Sequence, residues 1–337
     1  GLEVEEARLP NFVGSLAGFA PANKGWDRPV SGVTVKMETP VLYFYSAEPR
    51  TVRIEVGFHG GSISQWYPGR TGGEQLPPMP PPDGRPQRPI DFSAGHEGSV
   101  AWQVDILARG TKEKISAPRE EETPQWPRAR IAAANCVRGP KGEVEGFVFY
   151  RGIGNFALPF EVRAAPDGTL TLRNQGADTL PFVWVYEQPG DGTPVRSWAG
   201  ALAAGGHSTA GPLEAREIPF HAALTAAGLT PAEADALMAT WRESYFERPG
   251  LRIFWIVPRA FTDAMLPITI TPAPARLERV LVGRTEVLTP QFEAELVRGF
   301  AADGGKRWEN DRYFRAYRER ARQLGGRVGV APAPSGP

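Results

Sequence analysis

The sequence holds a single cysteine, Cys136, in 337 residues. A lone cysteine excludes an intrachain disulfide and any cysteine-based zinc site. Its neighbours Ala132, Ala133, Ala134 and Val137 are small or apolar, which points to a buried, inert thiol in a strand or turn. An excess of one charge is missing too, since 38 basic residues balance 38 acidic ones. Such a chain has no electrostatic footprint for nucleic acid or an anionic surface, so no nucleic-acid partner is expected. No apolar run reaches the ~18 residues that mark a transmembrane helix. Histidine is scarce, and none of His59, His96, His207 and His221 stands in an HExxH motif or at a helical metal-ligand spacing. Gly152-Ile153-Gly154 lacks the third glycine of a dinucleotide fingerprint, and His59-Gly60-Gly61 has no G-x-S-x-G partner for an esterase site. Neither a metal nor a cofactor is expected.

Proline (34), glycine (38) and tryptophan (9) are plentiful instead. The first two call for many turns and the third supplies large core anchors. A chain of this length exceeds one ordinary core and divides into two or three domains. Residues 1–32 show weak pattern, with Phe12, Leu16, Phe19 and Trp26 as docking side chains of an N-terminal extension.

Residues 33–152 read as a first β-sandwich-like domain. Val52, Ile54, Val56 and Phe58 alternate with Arg53 and Glu55, the period of a half-buried strand. Residues 68–89 carry eight prolines and form a loop, because proline cannot donate to a sheet ladder. Strand character resumes at 100–107; a charged patch at 112–122 interrupts it, and residues 126–137 and 142–150 supply further strands. Residues 153–290 read as a second β unit, opening with a hairpin whose tip is Pro166-Asp167-Gly168-Thr169. Residues 182–187 are apolar on both faces, as in a central strand or one covered by a helix. A helical insertion spans 213–248, where Thr230-Pro231-Ala232-Glu233 is a capping box with proline at the first helical position. Strands are expected at 251–258, 265–271 and 279–284, then C-terminal helices over 291–326 and a tail over 327–337. The fold class is mainly β with α additions: two immunoglobulin-like, sandwich-like units, a helical insertion and a C-terminal helical extension. The stretch 228–290 carries the strongest pattern and reads as the organiser of the fold.

The best acid–base cluster is His96-Glu97 near Asp91, a loop set able to hold a general base or a divalent metal for hydrolysis. Solvated side chains are the plainer account of it. Trp66 and Tyr67 form an aromatic platform for sugar rings, with Gln65 or Arg70 beside it for hydroxyls; core packing is the competing fate. Arg151, in Tyr150-Arg151-Gly152, ends an aromatic strand at a rim between the two units. There it can bind a carboxylate, or hold exposed carbonyls together.

Phe147-Val148-Phe149-Tyr150-Arg151-Gly152, Trp241-Arg242-Glu243-Ser244-Tyr245-Phe246, Val257-Pro258-Arg259, Leu266-Pro267 and the 279–286 segment resemble a family of exported bacterial β-rich proteins with no known activity. The resemblance implies export, to the periplasm, cell surface or medium. The chain also starts at Gly1 rather than methionine, as a processed chain would. The expected function is non-catalytic: an envelope protein that binds a protein or glycan partner. The alternatives are a metal-assisted hydrolase at Asp91, His96 and Glu97, and a structural subunit of an assembly.

Overall fold

A computed structural model of the chain describes residues 14–15, 30–37, 40–75, 90–93, 95–111, 115, 125–190, 193–210, 213–214, 219–309, 311 and 313–328. The expected docking of Phe12, Leu16, Phe19 and Trp26, the proline-rich residues 76–89, nearly all of the charged patch and residues 329–337 lie outside them. The fold is mainly β, with several sheets and six α-helices among the described residues.

The largest sheet has eleven strands. Its Arg50–His59 strand alternates as its residues dictate, Val52, Ile54, Val56 and Phe58 inward and Arg53 and Glu55 outward. It pairs antiparallel with Glu97–Ile106 on one side and Ile268–Thr271 on the other. The first sheet thus takes a strand from far beyond residue 153. Gly61–Tyr67 pairs with Val148–Gly154, and their crossing is tight. A Cβ on Gly152 would stand 2.3 Å from the Ser62 carbonyl oxygen, and one on Gly98 2.4 Å from that of Gly61. Arg151-Gly152, expected at a rim, therefore lies inside a strand, with a bulge between the two residues. Trp102, Ile54, Phe58, Val100 and Tyr150 belong to the core beneath this sheet.

Beyond residue 154 the hairpin forms as its turn residues require. Phe160–Ala164 pairs with Leu170–Asn174, and Gly168 takes a φ of 87° at the tip. These strands and His207–Thr209 make a three-stranded sheet. A four-stranded sheet runs Arg196–Leu202, Leu180–Gln188, Gly250–Val257, Leu281–Val287. One core lies between the two sheets, built on Leu172, Val183, Val185, Ile253 and Trp255. The other face of the four-stranded sheet carries Trp184, Tyr186 and Phe254 against Phe220, Leu224 and Phe246 of the helical layer. Leu180–Gln188 is thus central and covered on both faces, which is why it reads as a continuous apolar run.

Thr230 caps the Pro231–Arg242 helix with the reciprocal bonds of a capping box, and the helix ends in a π-helical turn, Glu243–Glu247. Two expected strands differ. Residues 126–137 begin with a helix, Gln125–Arg128, and a 3-10 turn, Ala129–Ala132; only Val137–Arg138 is a strand. The helical turn brings Trp126 and Arg130 to one carboxylate, which no extended segment does for residues four apart. Residues 265–271 begin as the last turn of Arg259–Met265, a helix with an Arg259–Asp263 pair at i, i+4. The last strand is Leu281–Val287 rather than 279–284. Cys136 is half-buried rather than buried. The Pro290–Asp303 and Phe314–Val328 helices pack around Leu296, Trp308 and Ala321. No helix among the described residues is long and apolar enough to cross a membrane.

Candidate functional site

A cleft of about 710 Å³ lies between the first sheet and the helical layer. One wall is residues 40–47 with Phe149 and Tyr150, and the second is the Pro231–Arg242 helix with Tyr245. The third wall is the crossover from Ile268–Thr271 in the first sheet to Leu281–Val287 in the second. Pro272 and Pro274 lie in that crossover, where missing N–H groups keep it out of either sheet.

The aromatic walls are held in place by buried polar contacts. Glu145 is wholly buried and accepts four bonds of 2.8 Å: two from Arg130, one from the Trp126 indole and one from the Gly146 N–H. They fix the 125–132 helical segment, which brings Trp126 and Ala129 to the cleft. Across from it, Arg252 is 2% exposed and donates to the carbonyls of Tyr245 (2.8 Å), Arg248 (2.9 Å) and Pro249 (3.1 Å). Those carbonyls end the π turn, whose Tyr245 stacks on Trp241 at 5.3 Å.

Most of the polar groups on the cleft wall are already bonded. Tyr43 donates to the Ala129 carbonyl at 2.7 Å. Tyr45 donates to Glu233 at 3.1 Å, while the other Glu233 oxygen accepts the Thr230 N–H at 2.7 Å. Burial, and then the charge of Glu233, push the Tyr45 hydroxyl up to about 12. Thr240 donates to the Ala236 carbonyl at 2.7 Å, and Arg279 to Asp263 at 2.7 Å. Burial alone would raise the Asp263 carboxyl, but bonds from Arg259 and Arg279 hold it below its usual range. With its hydrogen-bonding groups turned on one another, the cleft offers a ligand chiefly aliphatic and aromatic surface.

The residues singled out in the sequence lie elsewhere, and Asp91, His96 and Glu97 do not converge on one another. His96 bonds Glu74 at 2.5 Å, and Glu74 also accepts from the buried Ser62 hydroxyl at 2.7 Å. Glu97 instead meets His59, its cross-strand partner, at 2.5 Å, both exposed. Asp91 accepts the N–H and hydroxyl of Ser93. Among the described residues no three His, Cys, Asp or Glu side chains are grouped to hold a metal ion. Trp66 and Tyr67 are 6% and 1% exposed, so neither face is free for a sugar. Arg70 covers Trp66 at 4.1 Å and Trp126 meets Tyr67 at 5.6 Å. Arg151 donates to Gln65, its partner across the ladder. The Gly60 N–H, a donor the oxyanion reading needs, is used by the His96 carbonyl at 2.7 Å.

The cleft residues come from separate segments between Pro40 and Val282, and no spacing rule joins them. The one local signal was the apolar face of the capped helix, whose Leu237 and Trp241 look into the cleft. Comparison of the chain with family models, with curated proteins and with solved structures finds no match.

Proposed function

We propose that the protein is a non-catalytic binding protein whose cleft takes an apolar ligand. The observation that carries this reading is the 710 Å³ cleft itself, aromatic on two walls, with most of its polar groups already bonded. Its size falls in the ~300–1,000 Å³ range of small-molecule sites. A glycan partner loses the platform assigned to it, because Trp66 and Tyr67 are core residues. Hydrolysis at Asp91, His96 and Glu97 is disfavoured by their three separate partners. The exported setting implied by the family resemblance belongs to this proposal. So does an immunoglobulin-like second unit, supported by two antiparallel sheets facing across one core.

Titration with N-phenyl-1-naphthylamine, a neutral dye that brightens in apolar surroundings, tests the reading. Saturable brightening is expected, and Leu237→Trp, which fills the cleft from the helix side, should weaken it. A dye that never saturates, or that binds Leu237→Trp as tightly as the native protein, defeats the proposal.

A further inference from the structure

Arg279 is out of place on an apolar wall. Its side chain is 8% exposed, and a buried guanidinium is costly unless its charge is met. The carboxylate it meets is Asp263 at 2.7 Å, and Asp263 is also bonded by Arg259 at 2.7 Å. Two guanidinium groups share one carboxylate, so the trio carries a net positive charge next to the cleft. Tyr150, a residue 2% exposed, lines the cleft together with Arg279, whose positive charge acts on its hydroxyl.

We infer that the ligand is an amphipathic acid whose apolar body fills the cleft and whose carboxylate pairs with Arg279 and Tyr150. This rests on the cleft being a binding site. A carboxylate supplies the missing half-neutralisation of the trio, and the flat guanidinium presents parallel N–H donors that suit its two oxygens. Tyr150 has a hydroxyl proton to donate to the same group. The other charged side chains on the wall stand differently: Arg276 pairs with Glu278 at 2.7 Å, Arg50 is exposed to water, and Glu233 accepts from Tyr45 and from the Thr230 N–H.

Calorimetric titration with dodecanoate, dodecanol and dodecylamine, alike in chain and different in head group, tests the inference. Dodecanoate binds about tenfold or more tightly than dodecanol, the size of a charge-assisted hydrogen bond, and dodecylamine binds weakest. Arg279→Met brings the dodecanoate-to-dodecanol ratio close to one, while Arg279→Lys retains part of it. Tyr150→Phe keeps the packing and lowers the ratio severalfold, which provides the test should Arg279→Met fail to fold. Dodecanol binding as tightly as dodecanoate, or dodecylamine more tightly because Glu233 reads the head, overturns the inference and leaves the apolar cleft standing. If none of the three binds, both readings fall.

Discussion

The buried carboxylate of Glu145 gives the sharpest test of what builds the cleft. Both oxygens are filled: Arg130 Nε and the Gly146 N–H bond one, Arg130 Nη2 and the Trp126 indole the other, all at 2.8 Å. Glu145 is wholly buried, while the Arg130 side chain is 21% exposed. Arg130→Met removes the only charge in that set and leaves the carboxylate on two neutral donors. Breaking a buried pair from one side costs about 3–5 kcal/mol, against ~0–1 kcal/mol for an exposed pair. That is a large part of the ~5–15 kcal/mol that holds a typical folded chain. Adding Glu145→Gln to the same chain removes the stranded charge and leaves a misfitted amide, worth about 1–3 kcal/mol. The double variant is therefore more stable than Arg130→Met alone. Urea unfolding followed by tryptophan fluorescence measures Arg130→Met, Glu145→Gln alone and the double variant, and dye titration reports whether the Trp126 wall still stands. A cost under about 1 kcal/mol for Arg130→Met, or a double variant equal to the sum of the singles, refutes the reasoning.

Gly283 stands opposite Trp255 in the ladder, and a Cβ there would lie 2.0 Å from the indole ring. Gly283→Ala should cost about 1–3 kcal/mol by overpacking, read from urea unfolding, and a neutral result would show that the indole can move aside. Tyr45 has a folded value of about 12 against an ordinary 10.0, so its contribution to stability is complete below 10.0 and is lost as pH rises through 12. The ultraviolet difference titration of native protein against Tyr45→Phe should centre near 12, and Glu233→Gln should move it toward 10.0; a native midpoint at 10.0 counts against the Tyr45–Glu233 contact.

Legibility followed how locally each feature is determined. The alternation of residues 52–58, the hairpin at Pro166-Asp167-Gly168 and the Thr230 cap each depend on neighbours a few positions away, and each was readable. Trp66 and Tyr67 were not, because what buries them is distant in sequence: every residue of Gly61–Tyr67 is covered, partly by Trp126. Strand parity decides which face each aromatic of Gly250–Val257 takes. Alternation gives the helix-covered face to Phe254 and turns Trp255 to the opposite core, against Phe160 at 4.6 Å. The 125–132 segment carries a helix because one buried carboxylate collects Trp126 and Arg130, a cause that lies outside the segment.

The cleft was the least legible feature, since it is a product of topology. The chain pairs Ile268–Thr271 with the first sheet and then returns to the second with Leu281–Val287, so the crossover must bridge the units. Tyr45 with Glu233, and Arg128 with the Ala239 carbonyl at 3.1 Å, bridge them again on the helix side. A cavity framed by such bridges has walls from both sheets and from the helical layer, and the proposed ligand would touch each. The stretch 228–290 therefore has two roles on the same residues. Its cap and its π turn fix the helical layer and with it Leu237, Trp241 and Tyr245 on one cleft wall, while its crossover carries Arg279 on another. Patterning strong enough to read as pure scaffold is what a preformed apolar site requires, because a wall that moved would lose the contacts that bind.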